Sequence, residues 1–296
     1  MNFIKYSYLY AFISFVVIGA GLYSLVRYGL QFSVDFTGGS VLELQLPTAP
    51  TDATALRDLV QKTEGVKSVD LSDQNILSIK ADTLSTEQKQ QLVIVISDVT
   101  GPVEVLRFDA IGPTISAELL KKTGMAIGIV IVFITFYVGK QFKELRYGVC
   151  AVLAMAHDSL VLLGAFSIFG VLYKVQVDVL FVTAMLTTLS FSVHDTIVVY
   201  HRIRELRIKH PEQDLKTLIN YAVSGTITRS INNSMTIIFM LVALALLGGV
   251  TIKWFAVALL IGAITGTYSS ACVALPLLLV WEFSEKKLRS RKRALR

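Results

Sequence analysis

The chain has 296 residues, of which 53% are hydrophobic and 17% charged, and its formal net charge is +6. This composition excludes a soluble enzyme, because the apolar residues come in blocks too long for the core helices of a soluble domain. A nucleic-acid surface is also excluded, since the basic C-terminal tail is short and carries no aromatic residue after Phe283.

Six apolar blocks approach the length of about 20 residues that a helix needs to cross a bilayer. They predict transmembrane helices at about 8–26, 124–139, 147–172, 177–200, 232–249 and 254–281. The first block could be the core of a cleaved signal peptide, but its length of about 18 residues favours an uncleaved anchor. The two cysteines, Cys150 and Cys272, form neither a disulfide framework nor a metal-ligand spacing.

Lysine and arginine are concentrated on one side of the predicted helices. The short connections on the other side carry only Lys174 and Lys253, so the positive-inside rule predicts that both termini are cytoplasmic. The positive charge would then face lipid headgroups.

The predicted segments are helix one within 1–29, an outer domain at 30–122, helices two to six within 123–285 with a cytoplasmic loop at 201–228, and a basic cytoplasmic tail at 286–296.

One long polar segment, at about 31–120, follows the first helix and is predicted to lie outside the cytoplasm. Its pattern predicts strands at 41–46, 66–71, 76–80 and 103–108 and helices at 52–62 and 86–99. Ser85 and Gln88 form a capping box at the start of the second helix. The order β-α-β-β-α-β predicts a small α+β, ferredoxin-like domain. Because this segment has no His and no Cys, we expect a binding or mechanical domain, with no enzymatic site, cofactor or metal.

A second polar segment, at 201–228, is interrupted by Pro211. After it, Leu215, Leu218, Ile219 and Ala222 recur at helical spacing. This spacing predicts an amphipathic helix on or near the cytoplasmic interface.

Asp195 is the most informative residue of the fourth apolar block. A carboxylate in hydrocarbon costs roughly 2.5–3.5 kcal/mol on insertion scales. Thr188, Ser192 and Asp195 share one helix face, which predicts a polar stripe turned to the interior of a bundle. Burial favours the neutral form of a carboxyl group, so a carboxyl on this face could bind and release a proton. The alternatives are a permanent ion pair, or a side chain that reaches the cytoplasmic surface.

Arg229 begins the fifth block at a depth that matches Asp195. Adjacent antiparallel helices could bring the two together, and their separation would then control protonation of the carboxylate. The alternative is an interfacial arginine that binds lipid phosphate. Asn232, Asn233 and Ser234 could add hydrogen bonds between helices.

His157 and Asp158 lie near the middle of the third apolar block. Adjacent helical positions point about 100° apart, so we expect them not to form one site. A proton-relay role and a structural hydrogen bond between helices are both open.

Two patterns of small residues indicate close backbone approach: Gly38-Gly39, and the spacing of Gly262, Gly266 and Ser270.

Four blocks together resemble the SecF family of protein-export membrane proteins: VDFTGGS at 34–40, AHDSLVLLGAFSIFG at 156–170, SFSVHDTIVVYHRIRE at 190–205 and TITRSINNSMT at 226–236. The resemblance implies a bacterial inner-membrane protein that pairs with a SecD-like subunit into a twelve-span unit related to RND transporters. Such a unit associates with the SecYEG translocon and uses the proton gradient to draw unfolded exported polypeptide outward. The family's membrane aspartate and arginine, tied to proton passage, match Asp195 and Arg229.

Two departures from the family pattern lie near Asp195. His194 stands where the family usually has Asn, and His201 where it often has Asp. A histidine titrates near neutral pH, so His194 could join the relay.

Two other functions are consistent with a chain of this kind. One is half of an RND-type exporter of lipid or small molecules, and the other is a passive assembly subunit of the translocon. ATP-driven transport is not expected, because the chain has no Gly-x-x-x-x-Gly-Lys-Ser/Thr loop.

Overall fold

The computed structural model describes residues 3–294 except 49, 51, 64, 73, 74 and 143. The chain divides into two compact units. We call residues 1–31 with 126–296 the helical unit and residues 32–125 the polar unit. The α-helices described are α1 Ser7–Tyr28, α2 Val34–Thr37, α3 Ala53–Gln61, α4 Thr86–Thr100, α5 Pro113–Phe142, α6 Leu145–Tyr173, α7 Val179–Lys209, α8 Leu215–Leu247, α9 Val250–Ser269 and α10 Leu275–Ala294. The strands are β1 Gly39–Gln45, β2 Val66–Leu71, β3 Ile76–Ala81 and β4 Glu104–Ile111.

Six helices among the described residues are long and apolar enough to cross a membrane, which confirms the predicted number. They are α1, α5, α6, α7, α8 and the continuous run from α9 through α10. The predicted second span was short, at 124–139, whereas α5 begins at Pro113. Proline suits this first helical position because its missing N–H has no intrahelical partner there.

The predicted cytoplasmic loop at 201–228 is mostly helical. α7 continues to Lys209, and α8 begins at Leu215 after a connection of five residues. Glu205 pairs with Arg202 and Lys209 along α7, at spacings that support a helix. The predicted amphipathic helix and the fifth span are therefore one helix, because Leu215, Leu218 and Ile219 extend the buried core beyond the apolar block. Lys286 to Ala294 of the predicted basic tail continue α10, and residues 295 and 296 lie outside the described residues.

The sixth span contains a π-helical turn, Ser270–Ala274, between α9 and α10. Pro276 lies just beyond it and has no N–H to donate to the carbonyl of Cys272, four residues earlier. A π turn is one way for a helix to absorb such a lost hydrogen bond. The hydroxyl of Tyr200 on α7 donates to the carbonyl of Ala274 at 3.3 Å, which fixes one end of the turn.

α6 and α7 form the centre of the helical unit. α1 crosses α6 so closely that a methyl group added to Gly164 would lie 2.5 Å from the Cα of Gly21. One turn further along each helix, the hydroxyls of Ser24 and Ser167 are 2.9 Å apart. Small residues and a hydroxyl pair therefore bring these two backbones together, as is common between helices in membranes.

The polar unit contains a four-stranded antiparallel sheet in the order β2-β3-β1-β4. Alternate residues of β1 and β3 point to one face, where they form a core with Leu56 and Val60 of α3 and Leu92 and Ile96 of α4. Ser85 and Gln88 form the predicted capping box of α4.

The Gly38-Gly39 pair at the start of β1 shows both uses of glycine that the sequence indicates. Their φ angles are +74° and +113°, in the region that residues with a Cβ rarely adopt. A methyl group on Gly39 would lie 2.7 Å from the carbonyl oxygen of Ala81, and one on Gly38 would lie 3.2 Å from the Cα of Pro113. No other residue type satisfies both the angles and the space.

Candidate functional site

Asp195 lies on the buried face of α7, with 3% of its surface exposed. Thr188 and Ser192, which the sequence places on the same face, are buried as well. This face packs against the small residues of α9. A methyl group on Gly262 would overlap the Thr188 hydroxyl, and the Cβ of Gly266 would lie 3.3 Å from the Cα of Ser192. The polar stripe and the small-residue pattern are thus two sides of one helix contact.

One oxygen of the Asp195 carboxyl group lacks a hydrogen bond from any described residue. Its Oδ2 atom is buried and has no hydrogen-bond partner within the described part of the chain, and the same holds for the Ser192 hydroxyl. A buried polar atom without a partner costs about 1–3 kcal/mol. A neutral carboxyl group is less costly to bury than a carboxylate. This environment therefore favours a proton on Asp195.

Arg229 is exposed on α8, and within the described part of the chain no ion pair within 4.0 Å joins it to Asp195. The two helices nevertheless contact each other nearby. The Cβ of Gly225 on α8 would lie 3.7 Å from the Nε atom of Arg202 on α7. Arg229 follows Gly225 by about one helical turn, and Asp195 precedes Arg202 by about two turns. Because the two helices run in opposite directions, both residues lie on the same side of this contact.

The sequence prediction overlooked an exposed polar stripe on the other side of α7. Thr183, Thr187, Ser190 and His194 are all exposed, and their spacing of i, i+4, i+7 and i+11 could have identified them. The threonine hydroxyls donate to carbonyls of their own helix. Ser190 and His194 would remain unsatisfied if they faced lipid, so this stripe is expected to contact protein or water.

The helix contacts around the site include further hydrogen bonds. Ser234 of α8 and Thr267 of α9 are joined through their hydroxyls at 2.5 Å, as predicted for Ser234. Asn232 and Asn233 are exposed on α8. The site is therefore held by α7, α8 and α9 together.

The expectation that His157 and Asp158 do not form one site is wrong. His157 Nδ1 lies 3.0 Å from Asp158 Oδ1, and both residues are buried. Although the two Cα–Cβ directions diverge, both side chains are long enough to turn toward each other. Asp158 Oδ2 also accepts a hydrogen bond from Ser269 at 2.6 Å, so the structural bond between helices is present.

Two family models match the chain. The model described as "Protein export membrane protein SecD/SecF, C-terminal" matches residues 93–284, and the SecD/SecF GG motif matches residues 23–46. The second match contains Gly38 and Gly39, whose geometry requires glycine.

Curated relatives and solved structures agree with these models. The SecF protein translocase subunit of Anaerolinea thermophila is 39% identical, over 96% of this chain and 95% of that protein. The corresponding subunit of Thermobaculum terrenum is 35% identical, over 95% and 94%.

The crystal structure of SecDF from Thermus thermophilus, described as a translocon-associated membrane protein, is 27% identical with a TM-score of 0.84. This chain is covered to 95% but spans only 38% of that longer chain. A SecDF structure in a super-membrane-facing form matches with a TM-score of 0.71 and 27% identity, over 99% of this chain and 40% of that one. From the family models, the relatives and the shared fold, the chain belongs to the SecF branch of the SecD/SecF family of membrane proteins.

Proposed function

We propose that this chain is the SecF half of an accessory complex that uses the proton gradient to promote protein export, and that Asp195 is its proton-binding residue. The observation that carries the proposal is the buried Asp195 carboxyl, whose Oδ2 atom has no hydrogen-bond partner among the residues that the structure describes. A carboxyl in such a place is costly in the charged form, and a mechanism that protonates it relieves that cost. Transport by conformational change is the proposed role, so we infer no enzymatic step.

The proton acts on the contact between α7 and α9. A carboxylate at Asp195 attracts the cationic Arg229 of the neighbouring helix α8, and protonation removes that attraction. Since α7 and α9 touch through glycines and hydroxyls, a small rotation of α7 changes many contacts at once. One charge moved through 100 mV supplies about 2.3 kcal/mol, which biases a two-state rearrangement by roughly fifty-fold. His194 lies next to Asp195 on the exposed side and could pass the proton to it.

A SecD-like subunit completes the site in this proposal. The stripe of Thr183, Thr187, Ser190 and His194 is exposed in the isolated chain, and polar residues at membrane depth normally face protein or water. A partner helix that packs on this stripe would satisfy it and could add a second carboxylate. The relatives named as translocase subunits and the longer SecDF chains support such a partner within the SecYEG translocon.

The polar unit is proposed to act on exported, unfolded polypeptide on the periplasmic side. Its strand order, β2-β3-β1-β4 with two helices on one face, supports the proposed ferredoxin-like arrangement. The distribution of lysine and arginine supports cytoplasmic termini and, with them, a position of this unit outside the cytoplasm. One small sheet with a filled core offers little room for a lipid or drug cavity, so we favour protein export over the exporter alternative.

Export into proteoliposomes that contain the translocon, the SecD-like partner and this chain tests the proposal. Asp195→Asn keeps the shape of the side chain but cannot release a proton. We expect it to abolish the stimulation by a proton gradient while leaving gradient-independent export unchanged. Asp214→Asn is the matched control, because Asp214 caps α8 and Asn caps equally well. If Asp195→Asn retains full stimulation, Asp195 is not the proton-binding residue. If wild-type export is stimulated equally with and without a gradient, the passive assembly role is correct instead.

A further inference from the structure

A second buried polar group lies in the helical unit, apart from Asp195. It consists of His157 and Asp158 on α6 and Ser269 at the end of α9. His157 Nδ1 is 3.0 Å from Asp158 Oδ1, and Ser269 Oγ donates to Asp158 Oδ2 at 2.6 Å. The exposed fractions are 8% for His157 and 0% for both Asp158 and Ser269. The three side chains form a continuous hydrogen-bonded chain between two helices.

The charge balance of this group requires a proton. No Lys or Arg in the described part of the chain lies within 4.0 Å of Asp158, and His157 is its basic neighbour. A buried carboxylate without a compensating charge costs several kcal/mol. A carboxylate beside a neutral imidazole has a net charge of −1. The pair becomes neutral when it binds one more proton, either as a carboxylic acid beside a neutral imidazole or as a carboxylate beside an imidazolium. Titratable residues on elements packed against α6 include Tyr10 on α1, Asp195 and Tyr200 on α7, Tyr268 on α9, Cys272 in the π turn and Glu282 on α10, which pairs with Arg146 of α6.

The second ring nitrogen of His157 makes no hydrogen bond to the described residues. This atom, Nε2, is buried and has no hydrogen-bond partner among them. The Tyr268 ring lies nearby, with its centroid 6.3 Å from that of the imidazole, but its hydroxyl donates to the carbonyl of Tyr10. A buried ring nitrogen left in this way costs about 1–3 kcal/mol. When Nδ1–H donates to the Asp158 carboxylate, Nε2 carries a lone pair, and this lone pair is the position at which the group takes up its neutralising proton or binds a water molecule.

At its other end, the group contacts the π turn of the sixth span. Ser269 directly precedes Ser270–Ala274, and Tyr200 donates to the carbonyl at the far end of the same turn. The Ser269 hydroxyl has two acceptors for one hydrogen: Asp158 Oδ2 at 2.6 Å and the carbonyl of Gly266, in its own helix, at 3.3 Å. A carboxylate is the stronger acceptor, and a protonated carboxyl the weaker.

We propose that His157 and Asp158 form a second proton-binding site of the helical unit, and that the site controls the π turn through Ser269. The inference rests on the proposed function only in assuming that protons reach the interior of the bundle. A proton binds to the Nε2 lone pair, which forms one N–H bond and breaks none in the protein. The imidazolium can pass its Nδ1 proton to Asp158, whereupon the Ser269 hydroxyl turns to the Gly266 carbonyl. The link between α6 and the π turn is then lost, and it returns when the proton leaves.

Solid-state NMR of the full chain with its SecD-like partner in lipid vesicles measures the proton directly. The chain has four histidines, so ¹⁵N-histidine labelling followed by single substitutions assigns each signal. We expect Asp158→Asn to lower the proton affinity of His157 by roughly tenfold or more, since a neighbouring carboxylate shifts a titration by about one to three pH units. Ser159→Ala, whose hydroxyl donates to Met155 in its own helix, is the matched control and leaves the titration unchanged.

Cys272 reports on the π turn, because it lies within it and a maleimide adduct can be located by mass spectrometry. Alkylation of the wild type is compared with Ser269→Ala and with Ser270→Ala, whose hydroxyl bonds within its own helix. We expect the alkylation rate of Cys272 in Ser269→Ala, divided by the rate in the wild type, to change severalfold with pH. The same quotient for Ser270→Ala should stay constant. Equal behaviour of both serine variants, or a His157 titration that Asp158→Asn leaves unchanged, would overturn the proposal.

The two proposals fail separately. If Asp195→Asn retains gradient-stimulated export while His157 still titrates with its dependence on Asp158, the proposed function fails and the second site stands. If Asp195→Asn abolishes the stimulation but the His157 signal is insensitive to Asp158, the proposed function stands and the second site fails.

Discussion

The contact between α7 and α9 predicts that Gly262→Ala is strongly destabilising. The added methyl group would overlap the Thr188 hydroxyl and lie 2.6 Å from its Cγ2 atom. Because carbon atoms pack at about 3.5–4.0 Å, α9 must move away from α7 by about 1 Å or more. Overpacking of this kind costs about 1–3 kcal/mol. The same movement disturbs the face that carries Asp195, so gradient-stimulated export should fall as well.

Unfolding in mixed micelles with a rising fraction of SDS, followed by circular dichroism, measures this cost. Gly128→Ala on α5 is the matched control, since its new methyl group would have no neighbour within 4 Å. In a double-mutant cycle, Thr188→Ala should relieve part of the penalty of Gly262→Ala; the relief is incomplete because the Thr188 Cβ would still be 2.8 Å away. If Gly262→Ala unfolds at the same SDS fraction as Gly128→Ala, the reasoning about this interface is refuted.

Three further predictions each concern a single substitution and a variant or condition with which it is compared. Gly164→Ala should destabilise the packing of α1 on α6 by about 1–3 kcal/mol in SDS unfolding, whereas Gly19→Ala, with no neighbour within 4 Å, should not. Burial raises the pKa of Glu43. The polar unit should therefore lose stability as the pH rises through that pKa and the side chain becomes charged. Glu43→Gln should remove this loss, which thermal unfolding of the full chain at several pH values measures. Arg229→Ala should abolish gradient-stimulated export and Arg229→Lys should retain part of it. Stimulation that Arg229→Ala retains in full would show that the charge is not required.

The number of spans could be predicted from the sequence because apolar length is a local signal. The helix ends could not, since they depend on partners elsewhere in the fold. α8 begins at Leu215 rather than near residue 232 because Leu215, Leu218 and Ile219 are buried by other helices. The π turn was also missed, although Pro276 marked a lost backbone hydrogen bond, because proline does not determine whether a helix kinks or widens.

In the candidate site, too, patterns within one helix could be predicted, whereas contacts between helices could not. The common face of Thr188, Ser192 and Asp195 follows from helical periodicity and was predicted. That Gly262 and Gly266 form the opposite side of the same contact required three-dimensional packing. The bond between His157 and Asp158 was excluded by an argument from Cβ directions, and side-chain flexibility overrode it.

Proton flux into lipid vesicles that contain a pH-sensitive dye tests the central claim most directly, because it requires no translocon and no exported protein. The wild-type chain is reconstituted alone and together with its SecD-like partner. The Asp195→Asn and Asp214→Asn variants of this chain are reconstituted with the same partner. We expect proton flux only when both subunits are present, loss of this flux in Asp195→Asn and its retention in Asp214→Asn. Flux through the chain alone, or undiminished flux in Asp195→Asn, would contradict the claim that Asp195 is one half of a shared proton site.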